Sequence, residues 1–142
     1  MKMKFKVSRV DMWSATIEDQ PGGAARVLDP LAKAGANFEF AFARRAPESP
    51  GRGLVFVLPV KGTKVLQAAQ AAGFAITEGV HAVRVEGTDR PGTTAAIARA
   101  LAGAGISFRA FSATAVGRKF AGFLALDSAE DAARAVSVLK KL

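Results

Sequence analysis

Residues 18–23 read EDQPGG, and residues 88–93 read TDRPGT. Sliding the chain along itself by the 70 residues from Asp19 to Asp89 brings Pro21 onto Pro91, Gly22 onto Gly92 and Ala25 onto Ala95. Without a gap, Leu31 and Ala32 then meet Leu101 and Ala102, Ala34 and Gly35 meet Ala104 and Gly105, Phe38 meets Phe108, and Ala43 meets Ala113. Ordinary residue frequencies give a chance match at about one position in fifteen, and ten agreements between residues 19 and 43 lie far beyond that. The chain is two copies of one unit, and each copy has to make the same fold. Its 142 residues suffice for two small domains.

In the first copy, residues 12–18 (MWSATIE) have strand composition. Over residues 22–34, Val27, Leu28 and Leu31 share one helical face, and Gly35 ends that helix. Residues 37–43 (NFEFAFA) alternate, with Phe38, Phe40 and Phe42 pointing one way. These rings and Trp13 are expected in the core. A Pro- and Gly-rich loop follows (44–53, RRAPESPGRG), then a strand over 54–60 with Pro59 near its end. Thr63 is placed to cap a helix over 64–72, with Val65, Leu66 and Ala69 inward. FAIT (74–77) is a short last strand. Pro30 inside the first helix predicts a kink, since an interior proline costs about 3 kcal/mol.

The second copy repeats the order. A strand over 81–87 leads to a helix carrying Ile97 and Leu101, which Gly105 closes. Strands over 106–115 and 120–126 flank a short turn at Gly117. Ser128 caps a last helix with Glu130 and Asp131 early and Lys140 and Lys141 late, as the helix dipole favours. This copy has no last strand of its own. The 70-residue offset sets residues 71–79 on residues 1–9, so KFKV (4–7) stands where FAIT stands. The expected units are therefore residues 1–79 and 80–142, with residues 1–9 the candidates to supply the second unit's missing strand. Exposed sheet edges tend to be covered, which predicts a homodimer.

Composition narrows the function. The chain has no cysteine, so no disulfide forms and no thiolate ligates a metal or attacks a substrate. The N-terminus MKMKFKVSRV lacks the apolar core of a signal peptide, and no run approaches the ~18 apolar residues of a membrane span. A cytoplasmic protein without membrane contact is expected. The net charge is +8, from 20 Lys and Arg against 12 Asp and Glu. That balance permits a nucleic acid or a carboxylate as partner.

Asp-x-Pro-Gly has a physical use at a helix start. Proline suits the first helical position, because its missing N–H would be unpaired there anyway. Glycine lets the backbone turn tightly. Gly22, Gly23 and the residues after them are then expected to offer free amides to a carboxylate or phosphate. Asp19 and Asp89 can accept from one of those amides or from a ligand's amino group. The same residues also make a good turn and cap with no ligand at all.

A strand, Asp-x-Pro-Gly, a helix closing in Ala-Gly, then ANF or ISF opening the next strand resembles the ACT domain. The resemblance covers both copies. It implies an α+β fold of two tandem ferredoxin-like βαββαβ units, with antiparallel sheets and helices on one face. It also implies regulation, with domains that pair and a free amino acid bound where one domain's strand–helix loop meets its neighbour, a homodimer, and a metabolic enzyme as a candidate partner. In the family an Asn at the start of the second strand often holds the ligand. Asn37 matches it, and the second copy has Ser107 there, with a shorter reach and one fewer donor. The candidate ligand-binding residues are Asp19, Gln20, Gly22, Gly23, Asn37 and Phe38, and in the second copy Asp89, Arg90, Gly92, Thr93 and Ser107. No cofactor, metal or catalytic residue is expected.

The competing class is the RNA-recognition fold, which shares this topology. RGLVFVLP (52–59) partly matches its third-strand signature through Arg52, Gly53, Phe56 and Val57, but has Leu54 and Val55 where an aromatic and a small residue belong. An enzyme fits less well. The single histidine, His81, opens a strand and has no triad partner or second ligand beside it in the sequence.

Overall fold

The structure, a computed structural model, describes residues 2–142. In chain order the elements are β1 (Lys6–Val10), β2 (Trp13–Glu18), α1 (Gly23–Lys33), β3 (Phe40–Arg45), β4 (Arg52–Leu58), α2 (Thr63–Ala71), β5 (Ala75–Ile76), β6 (His81–Thr88), α3 (Thr93–Gly103), β7 (Ala110–Val116), β8 (Lys119–Leu126) and α4 (Ala129–Lys140). They divide into two compact units. One is Asp11–Glu78; the other joins the residues up to Val10 to Gly79–Leu142.

Each unit is a four-stranded antiparallel sheet, ordered β3-β4-β2-β5 in one and β7-β8-β6-β1 in the other. These are the same arrangement. The first strand of each copy, β2 or β6, lies inside its sheet between the third strand and a fourth. In the unit built on β6 that fourth strand is β1, from the start of the chain. The fold is thus the expected α+β pair of ferredoxin-like units, with β1 standing where β5 stands.

Helix ends follow from the Ala-Gly signals. Gly35, Gly73 and Gly105 all have left-handed φ, between 71° and 97°. After each, the next residue donates back to the third-last residue of the helix: Ala36 to Leu31, Phe74 to Ala69 and Ile106 to Leu101, at 2.8–2.9 Å. This Schellman closure satisfies carbonyls left over at the helix end. It also turns the following apolar residue inward, so that Phe74 and Ile106 are buried. Ser128 Oγ accepts from the Asp131 amide at 3.0 Å, starting α4. α1 runs on through Pro30. Both Pro30 and Arg26, whose carbonyl loses its usual donor, are solvent-facing, so water can reach the freed oxygen.

The cores follow the alternation of the inner strands. Ala15, Ile17, Val55 and Val57 pack under Val27 and Leu31 of α1 and Ala69 of α2. Val83, Val85, Leu124 and Leu126 pack under Ile97, Leu101, Ala135 and Leu139, with Phe5 and Val7 added. The strand expected over residues 37–43 begins only at Phe40, because the helix closure uses the chain up to Ala36 and the first ladder bond is Glu39 N–H to Leu58 O at 2.9 Å. The aromatic core expectation is corrected accordingly: Phe42 is 49% and Phe108 41% exposed. Leu66, expected inward on α2, is also exposed.

Phe5 is 6% exposed and sits in the core beside Phe120. Phe5→Ala is therefore expected to cost about 3–5 kcal/mol in urea unfolding, and Phe42→Ala no more than about 1 kcal/mol. Comparable losses would contradict this placement of the N-terminal segment.

Candidate functional site

The two Asp-x-Pro-Gly segments form the same turn. Gly23 N–H donates to Gln20 O at 3.0 Å, and Thr93 N–H to Arg90 O at 3.2 Å. Gly22 has φ 86° and ψ −6°, and Gly92 has φ 83° and ψ 4°. Proline at the second place, left-handed glycine at the third and a bond from first to fourth make a type II turn. Pro21 and Pro91 therefore precede the helices rather than opening them, and Gly22 and Gly92 are the N-caps. This corrects the sequence reading, in which proline held the first helical position and Gly23 offered a free amide. The Gly23 amide closes the turn instead. The next amides, of Ala24 and Ala25, donate to no carbonyl outside the helix. No side chain caps either helix, so Asp19 and Asp89 do not serve that purpose.

The Asp19 carboxylate faces the β3–β4 loop. Arg45 Nε donates to Asp19 Oδ2 at 2.8 Å. Arg52 pairs with Glu18 at 3.1 Å and Arg44 with Glu48 at 3.5 Å. The Glu48 carboxyl is held below its ordinary pKa, first by hydrogen bonding with its own backbone and then by Arg44. Between this loop and the start of α1 lies a cleft of about 330 Å³. Its floor is Ile17, Ala24, Ala25, Ala43 and Gly53; its rim is Glu18, Asp19, Gln20, Gly22, Arg44 and Arg45. The size is at the small end for ligand pockets.

Asp19, Gln20 and Gly22 are thus brought together at this cleft, with Gly23 directly behind them. Asn37 and Phe38 are not. They follow the other end of α1, and eleven residues of helix span about 16 Å. Asn37 is exposed, and Phe38 packs half-buried on the core. In the second copy Asp89, Arg90, Gly92 and Thr93 share the turn, and exposed Ser107 again lies beyond the far end of the helix. Thr93 is 3% exposed, and its Oγ1 donates to Arg90 O at 2.8 Å. His81 opens β6 opposite Leu126. Among the described residues no group of His, Asp and Glu could hold a metal ion, and no helix is long and apolar enough to cross a membrane.

The two copies differ at one cross-strand pair. In the first, Ile17 faces Gly53; in the second, the equivalent residues are Gly87 and Phe120. A Cβ on Gly53 would lie 2.8 Å from Arg44 O and 3.2 Å from Ile17 Cγ1, and one on Gly87 would lie 2.9 Å from the Phe5 ring. The bulk has changed strands. A buried aromatic ring, Phe120, stands where the first copy has the bare glycine of its cleft. The arginines differ as well, for Thr114 and Ala115 stand in place of Arg44 and Arg45. The sequence reading missed Arg45, Gly53 and Phe120. The last two were findable, since the second copy's β7–β8 loop is three residues shorter and an alignment gap there sets Phe120 on Gly53.

The two glycines of the first turn do different work. A methyl on Gly22 would meet nothing within 4 Å, so Gly22→Ala adds only left-handed strain of about 1–2 kcal/mol. A Cβ on Gly23 would stand 2.1 Å from the Glu18 carbonyl oxygen. That neighbour is backbone and cannot swing aside, so Gly23→Ala is expected to cost about 3 kcal/mol or more. Denaturant unfolding of the two variants compares them; a Gly23→Ala loss no larger than that of Gly22→Ala would contradict the close approach.

Residues 81–142 match the ACT domain model. No curated protein sequence is significantly similar to the chain. Among solved structures, protein BT0572 of Bacteroides thetaiotaomicron superposes with a TM-score of 0.75 at 17% identity, over 96% of this chain and 99% of that one. The ligand-free regulatory subunit of aspartate kinase from Thermus thermophilus gives 0.62 at 19%, over 95% and 93%. A structure of aspartokinase alpha and beta subunits gives 0.61 at 16%, over the whole of both chains. At such identities these likenesses speak for the fold. Residues 81–142 are thus an ACT domain, and residues 11–78 build the same strand order again.

Proposed function

We propose that the chain is a regulatory protein that binds a free amino acid in the first unit, and not an enzyme. The observation that carries this reading is the cleft at the first Asp-x-Pro-Gly turn, with an apolar floor of small residues and charges of both signs on its rim. A free amino acid has the same make-up, one apolar part and two opposite charges. Within the first unit the length of α1 separates Asn37 from the cleft, so this reading rests on the turn and the β3–β4 loop.

Two of the similar folds belong to aspartate kinase assemblies, one of them a regulatory subunit. Carried over, that makes a metabolic enzyme the partner class. The exposed outer strands β3 and β7 support a homodimer, since each leaves one row of backbone groups unpaired.

One observation favours the RNA reading. Phe42 and Phe56 lie 6.3 Å apart on the sheet face turned away from α1 and α2. The strand beside Phe56 puts Ser14 opposite it, which offers no further stacking surface. The amino-acid reading therefore stands ahead.

Thermal shift with each common amino acid tests the proposal. A ligand present at 100 times its Kd adds about 2.7 kcal/mol to stability, and at least one amino acid is expected to raise Tm. The expected RNA affinity is weak, independent of sequence and steeply reduced by salt. No shift with any amino acid, together with tight sequence-dependent RNA binding near physiological salt, would reverse the order of the two readings.

A further inference from the structure

A free α-amino acid carries an ammonium and a carboxylate, and the rim of the first-unit cleft is an ion pair of the same two charges. The Asp19 side chain is 34% exposed and that of Arg45 81%. Arg45 is thus the outer, solvated partner, and an exposed pair of this kind adds little to stability. Opening it costs little, provided that neither charge is left alone afterwards. Resting on the amino-acid reading, we propose that the ligand enters by exchanging with this pair. Its ammonium takes Asp19 in place of Arg45, and its carboxylate takes the guanidinium so released. Both protein charges stay paired throughout, and no covalent bond changes.

The surroundings limit the side chain. The other charged groups on the rim already have partners: Glu18 holds Arg52 and Arg44 holds Glu48. The floor offers one Ile, three Ala and a Gly. The cleft therefore takes an amino acid with a small side chain. The second copy cannot perform the exchange, because Ala115 stands where Arg45 does and Phe120 where Gly53 does. Each chain binds one ligand.

The test starts from a thermal-shift screen of the common amino acids, tried singly. The best is taken into calorimetry with its carboxamide and its desamino acid. One ligand per chain is expected, and loss of either charge should weaken wild-type binding by about tenfold or more. Arg45→Ala should no longer distinguish the amino acid from its carboxamide, whereas Arg45→Lys should retain part of that preference. Asp19→Asn should no longer distinguish the amino acid from its desamino analogue. Both positions are exposed, so all variants should melt close to wild type. If an amino acid binds and Arg45→Ala discriminates as wild type does, or if two ligands bind per chain, the exchange is wrong and the amino-acid reading survives. If none binds, both fall together.

Discussion

A strand inside a sheet has two rows of backbone donors and acceptors, and both rows need partners. β2 and β6 are such strands, each holding a long partner on one side, β4 or β8. The first copy fills the other side with β5, drawn from its own end. In the second copy that side is taken by a strand from elsewhere in the chain. β1 fills the place, with Val7 opposite Val85 and Arg9 opposite Val83. The amide of Met3 also donates to the carbonyl of Leu142 at 2.7 Å, tying the first residues to the last helix. One hydrogen-bonding requirement thus makes the start of the chain part of the second unit.

The difference between the two copies follows from it. β1 brings Phe5 over Gly87, where any side chain would collide with the ring. With glycine on β6, the bulk at that level comes from Phe120 on β8, whose ring packs on Phe5. β5 is only two residues long and brings no such ring to Ile17. There β2 carries the bulk, β4 carries Gly53, and the space beside the β3–β4 loop stays open. The Asp-x-Pro-Gly turn itself is the same in both copies, so its geometry does not tell them apart. What makes one copy a candidate site is the glycine behind the turn and the arginines across from it.

Much of this was legible because the repeat is legible. Strand order, helix ends and the need for a strand near residue 5 all follow from Ala-Gly signals and a constant offset. The offset misplaced that strand by three residues, since no identity anchors residues 1–9. An ungapped shift would set Phe5 opposite Arg84 and turn it away from the helices, because side chains alternate between faces. The observed register puts Phe5 and Val7 on the core face, and burial decided it. The rings of Phe38, Phe40 and Phe42 alternate as in a half-buried strand, yet β3 is an edge strand and Phe42 stays exposed. Periodicity reports alternation and not which face is covered. The Asp19–Arg45 pair was beyond reach, because its partners are 26 residues apart and the loop between them has no counterpart of equal length in the second copy.

The central claim is that one copy is a receptor and the other its filled counterpart. Backbone amide spectra of the isotopically labelled chain test it most directly, recorded with and without the amino acid that raises Tm most. The account predicts shifts at Gly22, Gly23, Ala24 and Arg45, with Gly92, Thr93 and Ala115 unmoved. Shifts at Gly92 and Thr93 equal to those at Gly22 and Gly23, or shifts confined to the second copy, would contradict it.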